Sequence, residues 1–184
     1  EAGVQFQCLA SQNTMAALIG GATVHSWGSI PVNDMDPDRG PAKKGKEGDV
    51  DALYLRCLGL RWLLLDEVST LSPVLLGLLD SYLRRACARH PHARCADGTP
   101  RPFGGLNLVL AGDFWQLPPV RSLAIFSNPR ARVEDSGAQR ILEIFWTKRR
   151  GCITDTFCLR TSQRTRDPWM QAVLEADRHG AETW

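Results

Sequence analysis

Residues 60–72 read LRWLLLDEVSTLS. The apolar run 60–65, broken only by Arg61, has the length and continuity of a central parallel strand buried on both faces, and the acidic pair Asp66-Glu67 stands at its end. Ser72 follows as an N-cap with Pro73 at the first helical position, and VLLGLLDSYLRRACA keeps an apolar stripe to about Ala88. Residues 89–103 are rich in Pro, Gly, Arg and His and form a loop. Residues 106–110 then predict a second buried strand that ends at Ala111-Gly112-Asp113. Strand, helix, loop and strand make a βαβ unit, which crosses over right-handed in a parallel sheet whose ligands sit beyond the carboxyl ends of the strands. The fold class is therefore α/β, a parallel sheet flanked by helices.

Upstream, residues 4–10 (VQFQCLA) mix β-branched, aromatic and apolar side chains as a strand does, and 13–18 form a short helix stopped by Gly20-Gly21. Residues 33–49 carry Pro, Gly and charge with no apolar period, so an exposed, mobile loop is expected there, and 50–58 return to helical spacing.

The chain has 184 residues, 43% of them hydrophobic, enough for one domain with a real core. Its longest apolar runs are strand-sized and far short of the roughly 20 residues of a membrane span, which excludes a membrane-spanning helix. Six cysteines without a paired framework fit a reducing, intracellular setting. A net charge of +2 argues for no partner by its total. The distribution says more: arginines gather at Arg84, Arg85, Arg89 and Arg94, at Arg130 and Arg132, and at Arg160, Arg164 and Arg166, with Lys148 beside Arg149 and Arg150. Trp27, Trp115, Trp146 and Trp169 lie near such segments. Cations that track phosphates and aromatics that stack on bases suit a single nucleic-acid strand, and an ordinary solvated basic surface has the same composition.

Asp66 and Glu67 occupy the place where a nucleotide-hydrolysing P-loop fold puts its Walker B carboxylates. Asp66 would hold the water shell of a magnesium ion bridging the terminal phosphates of ATP, and Glu67 would orient the attacking water. Residues 104–120, GGLNLVLAGDFWQLPPV, place Gly112-Asp113, Gln116 and Pro118-Pro119 in fixed register after a strand. A glycine there lets the backbone turn closely, and the Gln116 amide can both donate to a γ-phosphate oxygen and accept from water.

The strings LLLDEVSTLS and LVLAGDFWQLPPV together strongly resemble the Pif family of superfamily-one DNA helicases. Residues 10–27, ASQNTMAALIGGATVHSW, look like that family's motif Ia, with Thr23, His25, Ser26 and Trp27 matching its tail and Gln12-Asn13 departing from its front half. Residues 159–180, LRTSQRTRDPWMQAVLEADRHG, resemble motif IV, with Arg164 at the position of the γ-phosphate arginine and Asp167 and Arg178 completing the pattern. The resemblance implies a RecA-like P-loop NTPase lobe. It implies ATP and Mg2+ as cofactors, Glu67, Gln116 and Arg164 as catalytic and γ-phosphate-sensing residues, and Asp66 as the magnesium residue, through water. Thr23, His25 and Ser26 become candidate contacts to single-stranded DNA, while Trp27 either stacks on a base or fills the core. DNA strands and junctions are the implied partners, in the nucleus or a mitochondrion, and 5′-to-3′ unwinding in repair, recombination or telomere maintenance the implied work.

No G-x-x-x-x-G-K-[ST] string occurs in the 184 residues. The chain opens on Glu1, near where that loop's helix would end, and stops at Trp184, soon after motif IV. The expectation is a lobe truncated at both ends, with 1–155 the partial first lobe and 156–184 leading into a second. Such a piece would be inactive alone. A non-catalytic nucleic-acid-binding remnant, or a related ATPase acting on something other than DNA, would share these motifs in part. Cys87, His90, His92 and Cys95 in CARHPHARC have zinc-ligand chemistry but not the paired spacing of a structural site, and a variable loop is the preferred reading.

Overall fold

The computed structural model describes residues 5–31, 49–128, 133–147, 152–159 and 165–180. The chain divides into two compact units, 1–152 and 153–184.

The first unit is built on four parallel strands in the order β2-β1-β3-β4: β1 Phe6–Ala10, β2 Ala22–Thr23, β3 Trp62–Leu65 and β4 Asn107–Leu110. β3 lies between β1 and β4, in a register that aligns Leu9 with Leu65 and Leu65 with Leu110. The helices α1 Asn13–Leu18, α2 Val24–Trp27, α3 Val50–Cys57, α4 Pro73–Ala86 and α5 Ser136–Trp146 connect and cover these strands. The predicted strands and helices thus stand close to where the apolar periods place them. Most of the loop expected at 33–49 falls outside the described residues.

α4 forms where predicted because Ser72 accepts the Leu75 N–H at 3.1 Å, capping the helix, and Pro73 needs no N–H partner at its first turn. Its inward stripe of Leu75, Leu76, Leu79 and Leu83 is buried against Leu9, Leu63 and Leu65 of the sheet and Leu53 of α3. Each such leucine contributes about 1.5–3 kcal/mol. α5 was not assigned from sequence, although Asp135 caps it through the Ala138 N–H at 2.6 Å and Ala138, Ile141 and Leu142 are fully buried at helical spacing.

Two burial expectations are corrected. β3 is central but not buried on both faces: Leu63 and Leu65 are 0% and 1% exposed, whereas Trp62 is 44% exposed. β4, expected to be a buried strand, shows Asn107 and Val109 to solvent and half-buries Leu108 and Leu110. The reason is a one-sided helical layer. Among the described residues the core gathers on the face that carries Leu9, Leu63 and Leu65, and the pleat turns Phe6, Trp62 and Val109 the other way.

In the second unit Asp167 caps α6, Pro168–Arg178, by accepting the Trp169 N–H at 2.9 Å, and none of the described side chains of this helix is buried.

α4 and α5 cross at two glycines. A Cβ on Gly77 would stand 2.8 Å from the carbonyl carbon of Gly137 and 3.1 Å from its Cα, with backbone rather than a flexible side chain in the way. Helix propensity alone favours Gly77→Ala by about 1 kcal/mol, and overpacking opposes it by about 1–3 kcal/mol. The substitution should lower the thermal unfolding midpoint of the 184-residue chain. An unchanged or raised midpoint would show that the two helices do not approach this closely.

Candidate active site

β1, β3 and β4 run parallel, so the chain leaves all three at one edge. The ladder continues one step beyond the strands: the Asp66 N–H donates to the Leu9 carbonyl at 2.8 Å, that of Ala111 to Leu65 at 2.8 Å, and that of Val68 to Ala111 at 2.9 Å. Asp66 is thereby fixed at the strand end, half-buried, with its Oδ1 accepting the Glu67 N–H at 3.0 Å.

Glu67 has left-handed backbone angles, φ 51° and ψ 45°. For a residue with a Cβ this costs about 1–2 kcal/mol, and surrounding bonds hold it there. The Glu67 carbonyl accepts the Thr70 N–H at 2.9 Å and the Thr70 hydroxyl at 2.8 Å. That hydroxyl meets Ser11 Oγ, at the end of β1, at 2.7 Å. Gly112 is required beside this turn, because a Cβ there would lie 2.8 Å from Val68 Cγ1 and 2.9 Å from the Val68 nitrogen.

After β4, Asp113 organises the next turn. Its carboxylate accepts the Trp115 N–H at 3.1 Å and the Gln116 side-chain amide at 3.3 Å, and its carbonyl accepts the Gln116 N–H at 3.1 Å. Phe114 packs on Phe126 and Trp146 with ring centroids 5.6 and 6.0 Å apart, and Trp146 donates to the Ile125 carbonyl at 2.6 Å. The turn is thus tethered to the end of α5.

These two turns face each other. Glu67 and Gln116, forty-nine positions apart in the chain, line one cleft of about 520 Å³ together with Ser11, Gln12, Met15, Thr70, Trp115 and Leu117. A carboxylate, two carboxamides that can donate and accept, and two hydroxyls converge there, with Asp66 adjacent to Glu67. Among the described residues no three Asp, Glu, His or Cys side chains cluster to hold a metal by themselves. That donor set fits Mg2+, which usually takes one or two carboxylates and fills the remaining positions with water and substrate phosphates.

The other predicted site residues stand elsewhere. Thr23 caps α2, its hydroxyl accepting the Ser26 N–H at 3.2 Å, and the Ser26 side chain is exposed. Arg56 reaches the carbonyls of Ser26 and Trp27 at 3.2 and 2.5 Å and Ser29 Oγ at 3.1 Å, fastening this segment to α3. Trp27 is 7% exposed and belongs to the core, which decides between its two readings. Trp146 is 45% exposed yet anchored by Phe114 and the Ile125 carbonyl, and Trp115 and Trp169 are exposed. None of Thr23, His25 and Ser26 lines the cleft. Arg164 lies outside the described residues, while Asp167 caps α6 and Arg178 ends it.

The residues of CARHPHARC go separate ways. Cys87 is buried beside Cys57, the His90 ring meets Tyr54 edge-on at 5.8 Å, His92 Nε2 lies 2.8 Å from an Arg61 nitrogen, and the Cys95 N–H donates to the Thr99 carbonyl at 2.9 Å.

Sequence reasoning missed Ser11, Gln12, Met15 and Thr70 in the cleft. Ser11 was reachable, since it follows a strand end as Asp66 does. Thr70 was not, because its role depends on a hydroxyl from a residue 59 positions away.

Comparison with known proteins places these features in a family. The PIF1-like helicase family model matches residues 4–135. The chain is 32% identical over 174 residues to the ATP-dependent DNA helicase RRM3 of Saccharomyces cerevisiae, covering 95% of this chain and 21% of that protein. It is 36% identical over 116 residues to the ATP-dependent DNA helicase PIF1 of the same species, covering 60% of this chain and 11% of that one. The fold is similar to a Pif1 helicase from Bacteroides crystallised with ADP-AlF3 and single-stranded DNA, with a TM-score of 0.62 and 23% identity, over 100% of this chain and 38% of the other. The chain thus spans about a fifth or less of the length of these curated relatives.

Two outcomes follow from the site's geometry. Glu67→Gly should raise stability by about 1 kcal/mol in urea unfolding, because glycine adopts the left-handed angles without strain, while Glu67→Gln should leave stability unchanged. Equal stabilities for all three would mean that Glu67 is not held in a strained turn. Burial lowers the pKa of His25 below its ordinary 6.5. The unfolded chain therefore takes the proton first, so the His25 contribution is complete above pH 6.5 and is lost as pH falls through the lowered folded value. His25→Asn should flatten the loss of stability between neutral pH and 5, and an unaltered slope would place the imidazole in open solvent.

Proposed function

This chain belongs to the PIF1-like helicase family, and we propose that it forms the hydrolysis half of the first motor lobe of an ATP-dependent DNA helicase. The observation that carries this reading is the convergence of Glu67 and Gln116 in one cleft at the carboxyl edge of a parallel sheet, where ligands of such sheets bind. The names of the relatives supply the reaction class, and the family's motif positions supply the roles.

In this reading Glu67 orients the water that attacks the terminal phosphate of ATP. The left-handed turn sets Glu67 at the cleft. Gln116 contacts the γ-phosphate, and its hold on Asp113 with the aromatic anchor of Phe114 passes the presence or loss of that phosphate to α5. Asp66 would hold Mg2+ through water, and the bound ion would offset phosphate charge. Arg164 adds a positive charge at the same phosphate. No phosphate-loop string that would cradle the β-phosphate occurs among these 184 residues.

Thr23, His25 and Ser26 provide the contact to single-stranded DNA, through the exposed Ser26 hydroxyl and the half-buried imidazole. Residues 1–155 are assigned to the first lobe and 156–184 to the passage into a second. Hydrolysis then drives 5′-to-3′ movement on a single strand and opens duplexes and junctions in repair, recombination or telomere maintenance, in a nucleus or mitochondrion.

The test is ATP turnover by the complete translation product that carries this chain, with and without single-stranded DNA, beside its Glu67→Gln form. Turnover should depend on DNA and fall by about 10²–10⁴-fold on substitution, with nucleotide binding retained. Absence of turnover in the complete protein would leave a non-catalytic nucleic-acid-binding remnant. Equal unwinding of 5′-tailed and 3′-tailed duplexes would refute the assigned direction.

A further inference from the structure

A second concavity of about 450 Å³, sharing no lining residue with the hydrolysis cleft, lies between α4, the loop before β4 and the first turn of α5. Its charged lining is Arg84, Arg85, Arg94 and Arg140 against two carboxylates, Asp80 and Asp135. Asp135 is committed to the α5 N-terminus through the Ala138 N–H.

Asp80 is only 3% exposed, and its Oδ1 accepts the Phe103 N–H at 2.6 Å. Its Oδ2 stands 3.7 Å from Arg84 and 3.6 Å from Arg140. At those separations the carboxylate attracts both guanidinium groups without consuming a hydrogen bond of either. One buried negative charge thus gathers two positive ones, whose side chains remain 29% and 47% exposed. Each guanidinium keeps N–H donors in a fixed fork, the geometry that grips phosphate.

The basic character continues past the cleft. Residues 84–101 contain Arg84, Arg85, Arg89, Arg94 and Arg101 and a single acidic residue, Asp97. The loop that carries Arg89, Arg94 and Arg101 is ordered by hydrogen bonds from Arg94 to the Gly98 carbonyl at 2.9 Å and from Arg101 to the His92 carbonyl at 3.3 Å. A repeating anion meets more of this surface than one isolated phosphate group does.

We propose that the α4–α5 cleft is a second nucleic-acid contact that takes the phosphodiester backbone of DNA on Arg84 and Arg140, away from the hydrolysis cleft and from Thr23, His25 and Ser26. It rests on the DNA-motor reading above, and it adds a contact that no motif of that reading supplies. Asp80 is its positioning residue, holding two arginines side by side before any ligand arrives. Arg85 and Arg94 widen the positive rim.

The test is fluorescence anisotropy of the 184-residue chain with a labelled 20-nucleotide single strand and a labelled 20-base-pair duplex, each over a salt series. Arg84→Gln with Arg140→Gln should weaken binding of at least one of the two DNAs about tenfold or more, and lower its salt slope by roughly 1.4 to 1.8 for two lost phosphate contacts. The DNA whose slope changes identifies the source of the backbone. Because the glutamines leave the Asp80 charge unpaired, the same pair is also made on Asp80→Asn, which leaves no buried charge, and thermal unfolding of both variants checks the fold. Unchanged affinity and slope for both DNAs, while His25→Gln with Ser26→Ala weakens binding, would overturn the second contact and leave the motor reading intact. No binding of either DNA by the unaltered chain would overturn both. Retained DNA binding with loss of binding to a phosphoserine peptide would overturn the proposal by making the cleft a phosphopeptide site.

Discussion

The parallel ladder β1-β3-β4 is the constraint from which the rest of this structure follows. Leu9, Leu65 and Leu110 stand in one register across three strands. Parallel strands in common register end together, so the segments after them begin at one edge whatever their separation in sequence. Ser11, Asp66-Glu67 and the turn around Asp113 become neighbours for that reason. A slip of one residue in β3 would send Leu63 and Leu65 to the opposite face and carry Glu67 away from the cleft.

At that edge the backbone is held in an unfavourable state. Glu67 sits in the left-handed region, and its carbonyl is gripped by the Thr70 N–H and hydroxyl, which in turn meets Ser11. The absence of a Cβ at Gly112 lets the neighbouring strand end press against Val68. Local strain of this kind persists only when the surroundings over-determine it, and here two strand ends and a buried turn do so. The Gln116 turn is held differently, by the Asp113 carboxylate within it and by Phe114 beneath it. Two independently braced turns therefore present a carboxylate and an amide across one cleft.

α4 joins this edge to the basic concavity. Its N-terminus follows the Glu67 turn and its C-terminal half carries Asp80, Arg84 and Arg85. The chain belongs to the PIF1-like helicase family; in the proposed reading the first end serves nucleotide chemistry, and the basic concavity along α4 is the feature that this reading does not use. The glycine crossing of α4 on α5 brings Arg140 to within 3.6 Å of the Asp80 carboxylate, so the concavity is a product of helix packing and not of any one segment.

The linear sequence by itself determined the α/β class, the βαβ unit, the α4 cap and the acidic pair at a strand end, because each rests on local rules: apolar period, cap chemistry, and glycine or proline at a turn. It also carried the family resemblance, since DEVSTLS and GDFWQLPPV are contiguous strings. It did not determine that β3 and β4 are covered on one side only, for a continuous apolar run reads the same whether one face or two are packed. α5 escaped notice although its cap and period were present. Tertiary structure alone decided that Glu67 and Gln116 share a cleft, that Trp27 belongs to the core, that Thr23 caps a helix, and that Asp80 gathers two arginines. Those outcomes depend on contacts between residues far apart in the chain, and no local pattern encodes which distant partner a side chain will meet.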